Sequence, residues 1–141
     1  MVGILVMTHA PLSTAFLAAA THVYKSVPAG LRGLDVLPDQ DPYEVNDLAA
    51  QALAELDVGD GVLILTDVCG ATPSNCAQRL TTLGNVQLVY GVSVPMLLRA
   101  LNYRHLPLLA VAQKAVEGGK NGAMLYENGP PCIDAGHQTK G

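Results

Sequence analysis

Two residues with acid–base chemistry each stand two positions beyond an apolar run: His9 after Val2–Met7, and Asp67 after Val62–Leu65. Imidazole has an ordinary pKa of about 6.5, so a neutral, nucleophilic histidine is available at pH 7. A carboxylate bound to one ring nitrogen fixes the tautomer and leaves the lone pair of the other nitrogen exposed. It also stabilises the positive charge that develops when that nitrogen attacks. The pair therefore predicts nucleophilic chemistry by His9, with Asp67 orienting the ring.

The segment that follows Asp67 offers neutral groups suited to a phosphoryl group. Thr72 is a natural helix N-cap and Pro73 a natural first helical residue, so a helix is expected to begin there. Its free N–H groups and partial positive charge favour phosphate. Glycine allows close approach of the backbone, and the hydroxyl groups nearby can donate to phosphate oxygens. The predicted phosphate-binding residues are Gly70, Ala71, Thr72 and Ser74.

A second helix N-terminus is expected after Pro11, directly beside His9, and a third strand-to-helix junction lies at residues 91–95. None of these junctions contains Lys or Arg. A group that must pass a phosphoryl group onward should hold it loosely, and neutral donors suit that task. The chemistry predicted from the residues is therefore reversible phosphoryl transfer through histidine.

Each of these features also has an ordinary structural interpretation. A histidine at a strand end is commonly a polar terminus, and Asp67 could serve as a loop residue or cap. The segment "GATPSN" could simply start a helix. The functional interpretation depends on all of them converging on one crevice, and His22, His105 and His137 receive no role.

Other site types lack support in the sequence. The segment "GGKN" at 118–121 lacks the preceding strand and the GK[ST] ending of a phosphate loop, and no GxGxxG is present. No spacing of His, Cys and carboxylate residues fits a metal site. Cys69 borders the expected crevice, but a small buried residue is the simpler interpretation. We expect neither a cofactor nor a metal.

The elements that must position these residues alternate along the chain. The predicted strands are Val2–Met7, Gly33–Leu37, Val62–Leu65 and Val86–Tyr90, with a short last strand at Ala123–Tyr126. The predicted helices begin near Leu12, at Pro42 after the cap Asp41, at Thr72, near Pro95 and at Leu108, and the last ends at Gly118-Gly119. This alternation predicts a three-layer, doubly wound α/β fold with a four-stranded parallel sheet. With strand order 2-1-3-4, the first and third strands are neighbours about 4.8 Å apart, and His9 faces Asp67 where the order reverses.

Length and composition set the remaining limits. The 141 residues fit one domain at 1–126 and a polar tail at 127–141. A net charge of −4 argues against nucleic acid as a partner. No apolar run approaches the roughly 18 residues of a membrane span. The stretch "FLAAATH" looks like a signal-peptide cleavage site, but no Lys or Arg precedes Lys25. Three cysteines without a CxxC indicate a reduced, cytoplasmic protein.

Three stretches carry a resemblance to a known family: "GILVMTHAPLSTAFL", "GVLILTDVCGATPSNCAQRL" and "GVSVPMLLRAL". In order and spacing they resemble the IIA domain of the mannose-type (mannose/fructose/sorbose) bacterial phosphoenolpyruvate-dependent sugar phosphotransferase system, and the likeness runs from residue 2 to about 126. The resemblance implies a phosphohistidine carrier. Its histidine matches His9, which would accept a phosphoryl group from the histidine-containing phosphocarrier protein and pass it to a IIB domain. Asp67 matches the orienting aspartate and Thr72 a phosphate contact.

The resemblance also implies a homodimer in which a fifth, antiparallel strand, here Ala123–Tyr126, is often exchanged between subunits. Two related functions stay open: a phosphoryl donor subunit for a dihydroxyacetone kinase, and a regulatory module whose phosphorylation state a partner reads without transport. A nucleotide or flavin binder is disfavoured, because the chain lacks a phosphate-loop fingerprint and has few aromatic residues. No nucleic acid partner and no direct membrane insertion are expected.

Overall fold

The structure, a computed structural model, describes residues 1–129. Its four strands are all parallel and lie in the order β2-β1-β3-β4, as predicted. The strands are β1 (Gly3–His9), β2 (Leu31–Val36), β3 (Val62–Thr66) and β4 (Val86–Val89). The helices are α1 (Leu12–Tyr24), α2 (Pro42–Leu56), α3 (Thr72–Leu80), α4 (Val94–Tyr103) and α5 (Leu108–Asn121), with a 3-10 turn at Thr81–Leu83. The α/β architecture expected from the sequence is confirmed.

Helices cover both faces of the sheet, which makes three layers. Alternate residues of β1 point to opposite faces. Ile4 and Val6 pack with residues of α1, α4 and α5, whereas Leu5 and Met7 pack with α2 and α3. All four side chains have no exposed surface. The continuous apolar run in β1 is thus explained, because a central parallel strand is buried on both sides.

Helix α2 begins as its local sequence dictates. The Asp41 side chain accepts a hydrogen bond from the Tyr43 N–H at 3.0 Å, and Pro42 is the first helical residue. The apolar stripe behind this cap packs against the sheet, with Val45 and Ala49 fully buried. Cap, proline and stripe agree, so this helix needs little from the tertiary structure to define its start.

The end of α5 differs from the prediction. The helix continues through Gly118 and Gly119 to Asn121. A Cβ at Gly118 would lie 2.6 Å from Cβ of Arg99, and one at Gly119 would lie 2.7 Å from Cε of Met96. The two glycines therefore let α4 and α5 approach closely. They serve helix packing here and do not act as a stop signal.

Most strand ends shift by one or two residues from the prediction. Strand β1 extends through His9, β2 begins at Leu31, and β4 ends at Val89. Within the single chain, residues 123–126 form no strand. An exchanged strand would involve a second chain, so that expectation stays a prediction. Most of the expected polar tail, residues 130–141, lies outside the described residues. Within residues 1–129, no helix has the length and apolar character needed to cross a membrane.

Candidate functional site

The structure brings His9 and Asp67 into direct contact at the carboxyl edge of the sheet. Nδ1 of His9 lies 2.7 Å from Oδ2 of Asp67, and the backbone N–H of His9 donates to the same oxygen at 3.1 Å. The imidazole is half exposed, whereas the carboxylate is only 11% exposed. The nucleophile predicted from the sequence therefore faces solvent and is held from behind by its predicted partner.

The protonation states follow from the hydrogen bonds of Asp67. Partial burial raises the pKa of this carboxyl group, but hydrogen bonds from the ring and N–H of His9 and from the N–H of Val68 together hold the pKa below its ordinary value. An ionised carboxylate only accepts hydrogen bonds, so the proton of a neutral His9 ring belongs on Nδ1. The Nε2 lone pair is then free for attack on an electrophile.

The junction at residues 91–95 forms hydrogen bonds with the backbone of Asp67 and of its neighbour. The N–H of Gly91 donates to the carbonyl oxygen of Asp67 at 3.0 Å, and the N–H of Val92 donates to that of Thr66 at 2.9 Å. Beyond this contact, the Ser93 side chain accepts from the Met96 N–H and caps α4. The third junction thus supports the backbone around Asp67, and its Ser93 hydroxyl is used to cap α4.

The start of α3 provides the open helix end near the pair. Ala71 is the cap residue and makes no side-chain cap hydrogen bond, so the first-turn N–H groups lack a side-chain partner. Gly70, with φ +89, makes the turn that leads into the cap. Thr72 is exposed at the first helical position, one place later than the cap position expected from the sequence. Of the predicted phosphate contacts, these three residues have groups available to a ligand.

Ser74 differs from its expected role. Its side chain is fully buried, and its hydroxyl donates to the Ala71 carbonyl oxygen at 2.9 Å. A hydroxyl committed in this way cannot donate to a phosphate. The sequence pattern "TPSN" correctly marked a helix start, but it could not show which of the two hydroxyl groups faces solvent.

The N-terminus of α1, expected to be a second open helix end, is occupied by Asp35 of β2. The Asp35 carboxylate accepts from the N–H and the hydroxyl of Ser13, at 2.9 and 2.6 Å, and from the hydroxyl of Thr14 at 2.5 Å. Burial raises the pKa of Asp35, but these bonds outweigh it and the net pKa is lowered. Asp35 was not among the residues predicted from the sequence. Its position at the end of the second strand was the available signal.

The two described cysteines differ in exposure. Cys69 is exposed in the loop before α3, contrary to the expectation of a small buried residue, and Cys76 is buried in α3. Cys132 lies outside the described residues. Within residues 1–129, no three side chains of His, Cys, Asp or Glu gather closely enough to hold a metal ion.

Comparison with known proteins shows the family to which the chain belongs. The family model described as "PTS system fructose IIA component" matches residues 3–116, where PTS denotes the phosphotransferase system. The "PTS system mannose-specific EIIAB component" of Escherichia coli (strain K12) is 32% identical over 72 residues, which make up 50% of this chain. The same stretch is only 22% of that protein, so the chain matches about a fifth of this curated relative.

Solved structures show the same fold. A phosphotransferase system component EIIA from Streptococcus agalactiae superposes with a TM-score of 0.81 at 17% identity, covering 89% of this chain and 97% of that one. The mannose/sorbose specific IIA subunit from Enterococcus faecalis gives 0.80 at 18%, covering 92% and 97%. The PTS IIA protein associated with the fucose utilization operon of Streptococcus pneumoniae gives 0.70 at 25%, covering 87% and 91%.

Proposed function

Because the chain belongs to the family of IIA components of the sugar phosphotransferase system, we propose that it is a phosphohistidine carrier. His9 accepts a phosphoryl group from the histidine-containing phosphocarrier protein and passes it to a IIB-type acceptor during sugar uptake in the cytoplasm. The observation that carries this proposal is the 2.7 Å contact between Nδ1 of His9 and the carboxylate of Asp67, which leaves Nε2 free on a half-exposed ring.

The transfer is a displacement at phosphorus between two imidazoles. The Nε2 lone pair of His9 attacks the phosphorus atom of the carrier's phosphohistidine, and the new P–N bond forms as the carrier's P–N bond breaks. The carrier imidazole leaves with the bonding electron pair. Nδ1 of His9 keeps its proton, and the Asp67 carboxylate stabilises the positive charge that the phosphorylated ring acquires. Transfer to the acceptor repeats these steps with His9 as the leaving group.

The phosphoryl group on Nε2 is proposed to bind the open end of α3. The free N–H groups of this helix end and the exposed Thr72 hydroxyl can donate to the phosphoryl oxygens, with Gly70 and Ala71 supplying the approach. All these donors are neutral. They orient the phosphoryl group without the strong attraction that an arginine or lysine would exert, and onward transfer stays easy.

Residues 123–126 support a proposal about assembly. Met124, Leu125 and Tyr126 are 64%, 83% and 74% exposed, and β4 is an edge strand. Three consecutive exposed apolar side chains, in a chain whose sheet has a free edge at β4, suit pairing with another chain. We propose that these residues form the strand exchanged in a homodimer.

The proposed function is tested by intact-mass spectrometry after incubation with phosphoenolpyruvate, the general phosphotransferase kinase and the phosphocarrier protein. The wild type should gain one acid-labile phosphate. His9→Ala should gain none while keeping its fold, because the ring is half exposed. His22→Ala, which removes an exposed histidine of α1, is the matched control and should be labelled like the wild type. An unlabelled wild type, or a labelled His9→Ala, contradicts the proposal.

The acceptor is identified in the same assay. Purified IIB protein should discharge the labelled chain if the protein serves sugar uptake. Discharge by a dihydroxyacetone kinase instead would assign the chain to that enzyme. Stable phosphorylation that no acceptor removes would favour the regulatory module.

A further inference from the structure

The N-terminus of α1 carries a fixed negative charge supplied by another element. Asp35 belongs to β2, yet its carboxylate accepts hydrogen bonds from the backbone of Ser13 and from the hydroxyl groups of Ser13 and Thr14 in the first turn of α1. Pro11, at the cap position, makes no side-chain cap hydrogen bond. Asp35 therefore replaces the local cap that the α1 sequence lacks.

The packing around Asp35 makes this contact specific. Gly33 lies two residues earlier in β2, and a Cβ there would lie 3.0 Å from Oγ of Ser13 and 3.3 Å from Cδ1 of Leu17. The first turn of α1 thus lies close against β2, which brings Ser13 to the carboxylate. Asp35 pairs in register with Thr8, the residue before His9. Paired strands are about 4.8 Å apart, and the Asp35 carboxylate binds Ser13, a residue shortly after His9 in the chain. Its charge therefore lies beside the end of the strand that carries His9.

The two helix ends that flank His9 are therefore unlike in charge. The start of α1 holds a carboxylate, whereas the start of α3 has no side-chain cap. A phosphoryl group is itself an anion and competes for the same N–H groups that a capping carboxylate uses. At the start of α1 the Ser13 N–H is already bonded to a carboxylate, whereas the start of α3 has no such anion.

We propose that Asp35 is a positioning residue for phosphoryl transfer. It places a negative charge at the N-terminus of α1 and so directs the phosphoryl group on His9 to the start of α3. The same charge raises the free energy of the phosphohistidine, which favours onward transfer. The proposal rests on the proposed function, since it concerns the energy of the same phosphohistidine.

The decisive measurement is the equilibrium constant for phosphoryl exchange between the phosphocarrier protein and this protein. Asp35→Asn keeps the shape and an acceptor oxygen for the Ser13 N–H but removes the charge. We expect the equilibrium to move about three- to tenfold toward the phosphorylated form of this protein, in line with the strength of charge–helix interactions. Onward transfer to an acceptor should slow correspondingly.

Two variants serve as controls. Asp39→Asn removes the same charge from an exposed residue that makes no hydrogen bond or ion pair within residues 1–129, and it should leave the equilibrium within twofold of the wild type. Asp35→Glu restores the charge and should move the equilibrium back toward the wild-type value. An unchanged exchange equilibrium in a folded Asp35→Asn protein would reduce Asp35 to a helix cap and overturn the inference. Failure of the wild type to take any phosphate would overturn the proposed function instead.

If Asp35→Asn does not fold, a second variant tests the same inference. Thr14 is exposed, and Thr14→Ala removes one donor that compensates the carboxylate while leaving its charge. The equilibrium should then move in the opposite direction, about twofold toward the unphosphorylated form. No movement, or movement toward the phosphorylated form, counts against the inference.

Discussion

Nδ1 of His9 and Oδ2 of Asp67 lie 2.7 Å apart although the two residues are 58 positions apart along the chain. They meet because β1 and β3 are hydrogen-bonded neighbours that run in parallel, with Met7 paired to Thr66, so both strands end at one edge of the sheet. The backbone N–H of His9 donates to the same oxygen. The Asp67 carboxylate therefore contacts both the imidazole ring and the backbone of His9. These two contacts fix the orientation of the ring before a phosphoryl donor arrives.

Substitutions of Asp67 should separate ring orientation from charge. Asp67→Ala should slow phosphorylation of His9 without abolishing it, by about ten- to a hundredfold, because Nε2 stays available but loses its orienting partner. Asp67→Asn should be slower still, since an amide N–H directed at Nδ1 favours the tautomer with its proton on Nε2. Rapid-quench kinetics would measure the rates, and ¹⁵N chemical shifts of the ring would report the tautomer. Equal rates for wild type and both variants would leave the carboxylate with a purely structural role.

The Thr72 hydroxyl should contribute to phosphoryl transfer without contributing to folding. Thr72→Val removes the donor at an exposed position and should lower the transfer rate about tenfold, whereas Thr72→Ser should stay near the wild type. Thr82→Val removes an exposed hydroxyl just beyond the other end of α3, where it donates to the Arg79 carbonyl oxygen, and is the matched control. If both valine variants transfer at the same rate, Thr72 is not a phosphate contact.

Acid should weaken the protein in part through Asp67. Its pKa is lowered in the folded state, while the unfolded carboxyl titrates near the ordinary value of 3.8. Its contribution to the free energy of unfolding is therefore full above pH 3.8 and is lost as the pH falls through the lower, folded pKa. Urea unfolding between pH 7 and pH 2 would measure this.

At pH 7, Asp67→Asn should be about 1 kcal/mol less stable than the wild type. As the pH falls, the free energy of unfolding of Asp67→Asn should decrease less than that of the wild type, because the variant has no carboxylate to protonate at this position. Asp47→Asn, at an exposed position of α2, is the control and should follow the wild-type pH profile. A profile for Asp67→Asn parallel to that of the wild type throughout this range would show that the carboxylate makes no net contribution to folding.

The exposed apolar residues near the end of the described chain should mediate self-association. Leu125→Asp places a charge in the proposed exchanged strand and should raise the dimer dissociation constant by about tenfold or more, because a desolvated, unpaired charge is costly at an interface. Light scattering coupled to gel filtration would report the mass across a concentration series. Val58→Asp, at an exposed apolar position in the loop after α2, is the control. A monomeric wild type at all concentrations would contradict the homodimer.

Short-range patterns were sufficient for most of the fold. The apolar run in β1 and the Asp41 cap of α2 depend on residues close together in sequence, and both are found as predicted. The strand order was predictable as well, since alternating strands and helices permit few parallel topologies. His9 and Asp67 could be singled out because each follows a buried strand that ends at the same edge.

Contacts between distant elements decided the rest. Nothing near Ser13 in sequence indicates that Asp35 of β2 caps α1, because that contact exists only when helix and strand pack together. The same holds for Gly118. Local rules assign this glycine to a helix end, but it lies inside α5 and packs against Arg99 of α4. The sequence by itself determined the architecture and the reacting pair, through periodicity and position at strand ends. Tertiary structure decided which helix end is open, because hydrogen bonds from another element, not local propensity, satisfy or leave free its N–H groups.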